Sequence, residues 1–243
     1  MYDKNIIVAL DYDDEKRIYD LCNQIDPSLC RVKIGKQAFT KFGPKLVENL
    51  HTKKFEIFLD LKFHDIPTTV YKACVEAFSL GIWMLNVHLL GGNEMVHSAR
   101  QARDEINITA KIIGVTLLTS TTDENLKNIG LKERSDIVKE LAMIASKSNI
   151  DGVVCTPKDI KIIREINKKL LFVTPGIRLD ANKNEHTQVY SPRDAIKLGA
   201  DYIVIGRPIT EAKNPKDILQ NIIKTINEIS NQNISTKEGL DSQ

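Results

Sequence analysis

The stretch FEIFLDLKFHDIP (55–67) reads as a strand, a charged turn and the start of a helix. The run from Phe55 to Leu61 is largely apolar, as a strand buried on both faces requires. Pro67 suits the first turn of a following helix, where its missing N–H has no partner to lose. Between them lie Asp60, Lys62 and Asp65. Residues two apart on a strand point to the same side, so Asp60 and Lys62 project together from the strand's C-terminal end. A lone Asp-x-Lys is equally well a salt bridge that closes a strand. Its surroundings have to decide.

The same strand-then-helix unit recurs along the chain. Apolar runs rich in Ile, Val and Leu stand at 5–10, 31–35, 55–61, 83–88, 111–118, 151–155, 170–174 and 201–206. Segments of helical periodicity separate them, among them 134–148 and 216–229. Such alternation means βαβ units around a parallel sheet. Eight units in about 250 residues match a (β/α)8 TIM barrel. The rival is a doubly wound open sheet, which more often has fewer strands and a glycine-rich first turn. The first turn here, ALDYDDE (9–15), has no glycine, which favours the barrel. One domain over residues 1–230 is expected, with no room for a second catalytic domain, and the polar tail 231–243 is expected to be disordered. The polar stretch RLDANKNEHTQVYSP (178–192) is long for a βα loop and is expected to close over a ligand.

Composition excludes several classes. Lys and Arg exceed Asp and Glu by 34 − 32 = +2, so the chain lacks the basic excess of a dedicated nucleic-acid binder. Cys22, Cys30, Cys74 and Cys155 are scattered, without a C-x-x-C pair, and read as reduced, buried thiols. The N-terminus lacks a signal-peptide pattern, and no run approaches the roughly 20 apolar residues of a membrane span. A soluble, cytoplasmic protein is expected. The histidines show no metal-ligand spacing. His88 ends the fourth strand, where a structural role is the simpler reading, and the direction of His64 in its turn is unreadable.

Charge gathers at other strand ends too. Asp11 follows the first strand, and Lys33 lies inside the second, where an isolated buried ammonium would be costly. If strands one to three are neighbours, Asp11, Lys33, Asp60 and Lys62 meet at one mouth of the barrel. That is the end at which barrel enzymes do their chemistry. Alternating acids and amines in a desolvated site suit electrostatic catalysis. Near the other end of the chain, VTPGIR (173–178) and IVIGRPI (203–209) each place a glycine and an arginine just past a strand. Loops after strands seven and eight often bind phosphate. Gly206 would admit backbone N–H groups to an anion, and Arg207 would supply a planar, bidentate partner. The residues alone thus point to a small phosphate-bearing ligand that meets an acid/lysine cluster.

These stretches together resemble the orotidine 5′-phosphate decarboxylase family. The resemblance rests on ALD (9–11), KIG (33–35), DLKFHDIPTT (60–69), LTS (118–120), VTPGIR (173–178) and IGRPI (205–209), in family order across residues 5–229. The D-x-K-x-x-D-I-P-x-T block is highly specific. The resemblance implies decarboxylation of orotidine 5′-phosphate to uridine 5′-phosphate (UMP), the last step of de novo UMP synthesis, without metal or cofactor. It implies a network of Asp60, Lys62 and Lys33 with Asp65, which reaches in from the other subunit of a homodimer. Lys62 would protonate carbon 6 as carbon dioxide leaves, with Asp60 beside the substrate carboxylate. Asp11 and Lys33 would hold the ribose, with Thr69 from the partner subunit. Thr119 and Ser120 would address the ring. Arg178, Gln188, Gly206 and Arg207 would hold the phosphate, with Thr187 an alternative to Gln188.

Three rivals remain at this level. Sugar-phosphate enzymes that share the D-x-K-x-x-D block bind magnesium through a glutamate on the second strand; this chain has Lys33 there, and a cation repels a divalent metal. A Schiff-base aldolase would want its lysine in apolar surroundings, whereas Lys62 stands between two acids. A non-catalytic phosphate-ligand barrel would have no need of the whole charge network.

Overall fold

The computed structural model describes residues 4–179 and 189–238. Eight strands alternate with helices in chain order. They are β1 (Ile6–Ala9), α1 (Glu15–Cys22), β2 (Arg31–Gly35), α2 (Lys36–Thr52), β3 (Ile57–Phe63), α3 (Pro67–Ser79), β4 (Met84–His88), α4 (Gly92–Ile106) and β5 (Lys111–Val115). There follow α5 (Asp123–Asn128), α6 (Arg134–Lys147), β6 (Gly152–Val154), α7 (Ile160–Ile166), β7 (Leu171–Thr174), α8 (Pro192–Lys197), β8 (Tyr202–Ile205), α9 (Arg207–Thr210) and α10 (Pro215–Glu238). Each strand runs parallel to the next, and β8 returns to pair with β1. The sheet is a closed (β/α)8 barrel, the architecture expected from the sequence.

Side chains fill the barrel. Ile7, Phe58, Met84, Ile113, Val173 and Tyr202 belong to an inner apolar cluster, separate from the larger one between strands and helices. Each such large side chain, fully buried, contributes roughly 1.5–3 kcal/mol. The two ends of β2 are ionic. At the floor, the Arg31 guanidinium lies 3.9 Å above the Trp83 ring and reaches Glu56 at 3.3 Å. At the mouth stands Lys33.

Pro67 opens α3, as the sequence predicts. The last helix departs from expectation. It continues to Glu238, past the boundary at residue 230, so part of the segment read as a disordered tail is helical. Most of the segment read as a closing loop lies outside the described residues. Its neck is fixed by a bridge between Ile177 and Tyr190 and by the Arg178 N–H donated to the Tyr190 carbonyl, 3.0 Å. Among the described residues no helix is long and apolar enough to cross a membrane.

Candidate active site

Register brings the charged residues together. Ala9 pairs with Lys33 across β1 and β2, and Gly35 pairs with Asp60 across β2 and β3. Lys33 Nζ consequently reaches Asp11 Oδ1 at 3.1 Å and Asp60 Oδ2 at 3.2 Å. Lys62 Nζ donates to the other oxygen of Asp60, Oδ1, at 2.5 Å. Four residues from three strand ends thus form one chain of alternating charge. Lys33 and Asp60 are buried, with side chains only 9% and 11% exposed, while Asp11 opens to solvent. Burial by itself pushes the Asp60 carboxyl up; the two ammonium groups, with hydrogen bonds from Lys62 and Asn86, outweigh it and hold the group below its ordinary value. Asp60 therefore stays ionised at neutral pH.

Gly35 makes room for this network. A Cβ there would stand 3.0 Å from Asp11 Oδ1 and 3.3 Å from Lys33 Nζ. The glycine matters for close approach, since its φ is an ordinary −87°.

The C-terminal half of β3 is not a regular strand. Leu59 pairs with Leu85 and Phe63 with Val87, so the register advances by 63 − 59 = 4 residues on β3 against 87 − 85 = 2 on β4. The excess is taken up as a bulge, and within it Lys62 adopts φ 51°. A left-handed backbone costs a residue with a Cβ roughly 1–3 kcal/mol. Asn86, 1% exposed on β4, faces the bulge. Its Oδ1 accepts the Lys62 N–H at 2.8 Å and its Nδ2 donates to Asp60 Oδ1 at 2.6 Å. Only one orientation of the amide satisfies both partners, because an N–H needs an acceptor and a carboxylate needs a donor. Sequence reasoning missed Asn86 and Gly35. The available signal for Asn86 was an amide in the middle of an apolar strand, WMLNVH (83–88), where a buried polar group demands partners.

His88 ends β4 next to this cluster, its ring 5.5 Å from that of His64. Burial, then the neighbouring His64, Lys36 and Lys62, pulls its pKa down to about 4. It is neutral at pH 7 and adds no further cation to the mouth.

Asp65 and Thr69 are exposed at the rim, past β3. The Asp65 carboxylate accepts the Ile66 N–H at 2.7 Å. Among the described residues neither side chain makes an ion pair or hydrogen bond to the cluster within the chain. Thr119 and Ser120 lie in an exposed turn after β5. That turn is anchored one residue on, where Arg134 Nη1 donates to the Thr121 carbonyl at 3.3 Å. Arg134 in turn pairs with the buried Asp159 at 3.2 Å, which also accepts the Thr156 hydroxyl at 2.7 Å.

On the opposite side of the mouth, a cavity of about 380 Å³ joins the ends of β1 and β8. Asp11, Gly206 and Arg207 share its wall. The volume lies within the range of small-molecule sites. Arg178 follows β7, half-buried, after Gly176 at φ 81°, a left-handed position suited to glycine. Gln188 and its alternative Thr187 lie outside the described residues. Among the described residues no group of three or more His, Cys, Asp and Glu side chains is placed to hold a metal ion.

Known proteins resemble this chain along nearly its whole length. The sequence model of the orotidine 5′-phosphate decarboxylase / HUMPS family matches residues 4–222. An orotidine 5′-phosphate decarboxylase of Nitrosospira multiformis is 49% identical over 94% of this chain and 96% of its own. That of Saccharophagus degradans is 43% identical over 90% and 94%. Among solved structures, the orotidine 5′-phosphate decarboxylase of Lactobacillus acidophilus superposes with a TM-score of 0.82 at 36% identity, covering 93% of this chain and all of its own. An uncharacterized conserved protein of Geobacillus kaustophilus gives 0.81 at 31% identity, covering 91% and 99%. With a barrel mouth built from D-x-K on β3 and lysine on β2, and matches that run nearly end to end, the chain belongs to the orotidine 5′-phosphate decarboxylase / HUMPS family.

Proposed function

We propose that this protein decarboxylates orotidine 5′-phosphate to UMP, as the last step of de novo UMP synthesis, in the cytoplasm and without a metal or cofactor. The observation that carries the reading is the Lys33–Asp60–Lys62 array, two ammonium groups sharing one buried carboxylate at the barrel mouth. The bond from carbon 6 to the carboxylate breaks, carbon dioxide departs, and the electron pair stays on carbon 6 in the ring plane. The ring π system cannot delocalise a pair held there. A fixed ammonium next to carbon 6 stabilises that charge more than it stabilises the starting carboxylate, whose charge is spread and displaced. Lys62 then delivers its proton to carbon 6. Asp60, ionised and anchored by Lys33 and Asn86, holds the Lys62 ammonium and stands beside the departing carboxylate.

The rest of the ligand follows the cavity. The ribose hydroxyls meet Asp11 and Lys33, and the phosphate lies against Gly206 and Arg207, with Arg178 and Gln188 from the preceding loop. Thr119 and Ser120 address the ring. Phosphate binding is remote from the reacting carbon, so its free energy can drive loop closure and desolvation. Lys33 is already paired with both Asp11 and Asp60, which leaves those acids neutralised by an ammonium where the metal-free reading needs no divalent cation. The active unit in this reading is a homodimer. Asp65 and Thr69, exposed on their own subunit, complete the partner's site.

Ultraviolet absorbance of orotidine 5′-phosphate mixed with the protein tests the reading. The orotidine band should decay to that of UMP, with one carbon dioxide released per turnover and no effect of chelator. An unchanged spectrum would overturn the activity, and abolition by chelator would overturn the metal-free mechanism.

A further inference from the structure

We propose that Asn86 is a positioning residue that sets the Lys62 ammonium against Asp60 through the backbone of Lys62 as well as through the carboxylate. The inference rests on the decarboxylase reading for its kinetic consequences but on geometry for its mechanism. At the β3 bulge the ordinary ladder between β3 and β4 is interrupted between Leu59 and Phe63. An N–H inside the interruption has lost its strand partner, and a buried N–H left without one is disfavoured. The Asn86 side chain substitutes for the missing carbonyl by accepting the Lys62 N–H at 2.8 Å. That bond is formed with Lys62 at φ 51°, the left-handed backbone from which its side chain meets Asp60.

The same amide restrains the carboxylate. Asn86 Nδ2 and Lys62 Nζ both donate to Asp60 Oδ1, at 2.6 and 2.5 Å, while Lys33 takes Oδ2. Asp60 is therefore held by three donors from three strands, and its plane is set before any ligand arrives. Alternation along a regular strand cannot fix the direction of Lys62 here, because the strand slips register. A side chain from β4 does so instead. Asn86 touches no reacting atom in this scheme; it acts through Lys62 and Asp60, as a locked supporting shell does for a preorganised site.

Two substitutions separate positioning from mere packing. Asn86→Ala removes both bonds. Its kcat should fall by roughly 30- to 1000-fold, the range for a misplaced reacting group, while the affinity for UMP changes less than about fivefold. Asn86→Asp is isosteric. As a neutral acid it can donate to Asp60 and still accept the Lys62 N–H; ionised, it faces Asp60 with a like charge. Its kcat should therefore decline with rising pH across a range where the parent is level, and Asn86→Ala should have no such limb. Loss of thermal stability with kcat retained in Asn86→Ala would assign the residue to packing and overturn the proposal. So would a level pH profile for Asn86→Asp. A crystal structure of Asn86→Ala gives a readout that does not depend on the substrate. Lys62 should leave the left-handed region, or its Nζ should leave Asp60. A Lys62 unmoved overturns the proposal even if the decarboxylase reading stands, whereas a displaced Lys62 in a protein whose parent form lacks turnover would sink only that reading.

Discussion

The Lys33 ammonium lies 3.1 Å from Asp11 Oδ1, and the Cα of Gly35 passes so close that an added methyl would meet both groups. That contact links the ribose end of the proposed site to the reacting end, since Lys33 also holds Asp60. Gly35→Ala should displace one partner. Overpacking of this kind costs about 1–3 kcal/mol of stability, so the melting temperature should fall by roughly 2–10 °C, and displacement of the Asp11–Lys33 pair should also weaken binding of UMP by calorimetry. Unaltered affinity would show that the pair tolerates the crowding.

Lys62→Ala should nearly abolish turnover while nucleotide analogues still bind. If Lys62 is the proton donor of the proposed mechanism, its loss should exceed about a thousandfold in kcat, or at least 4 kcal/mol of barrier. Single-turnover absorbance measures it. A rate within tenfold of the parent would remove Lys62 from the chemistry.

Arg207→Ala tests the far end of the cavity. Truncating a charged partner of a bound anion costs roughly 2–5 kcal/mol. The loss should be confined to ligands that carry phosphate. If the nucleoside without phosphate weakens equally in titration calorimetry, Arg207 does not hold the phosphate.

Asp65, five residues past Asp60 and exposed at the rim, is the residue that the proposed homodimer would share between its two sites. Chains carrying Asp65→Ala and Lys62→Ala should each be nearly inactive alone. Mixed in equal amounts and exchanged, half the dimers carry one chain of each kind, and each of these has one intact site. Activity per subunit should recover to about a quarter of the parent by two-fold symmetry. No recovery after verified exchange would place Asp65 in its own subunit's site.

His88 predicts a pH dependence of stability. Its imidazole titrates at about 4 in the folded chain against an ordinary 6.5. Between those values the unfolded chain binds more protons, so stability falls as pH drops from 6.5 toward 4. Allowing for the partial exposure of the ring, the effect is on the order of 1–2 kcal/mol. The depressed Asp60 acts below this window, where acid begins to protonate a carboxylate that is ionised in the fold. Melting temperatures of the parent and of His88→Gln across this range should diverge, with the variant showing the shallower slope. Parallel slopes would mean that His88 is protonated without penalty.

The barrel itself was legible because its signals are local. A buried parallel strand is an apolar run and a helix is a 3.6-residue period, and both can be read within a dozen positions. Asp11, Lys33, Asp60 and Lys62 stood out for the same reason: charge at the end of an apolar strand is anomalous wherever it occurs. Pro67 announced the start of α3. The strand-three block carried its family resemblance in consecutive residues.

Pairings between distant residues were decided only by the tertiary structure. Asp11 and Arg207 share one cavity because β8 closes on β1, a junction that no local pattern encodes. Gly35 shows its role only when Asp11 and Lys33 are placed against it. The extent of α10 past residue 230 is likewise absent from the polar composition of that segment. Lys62 marks the boundary most sharply. Its proximity to Asp60 followed from alternation along a strand, but the backbone that delivers it is a left-handed bulge held by Asn86 from the neighbouring strand. Sequence determines which groups are available and which face of an element they occupy. A register slip is settled by the strand alongside, because hydrogen-bond partners and burial are properties of pairs brought together by folding.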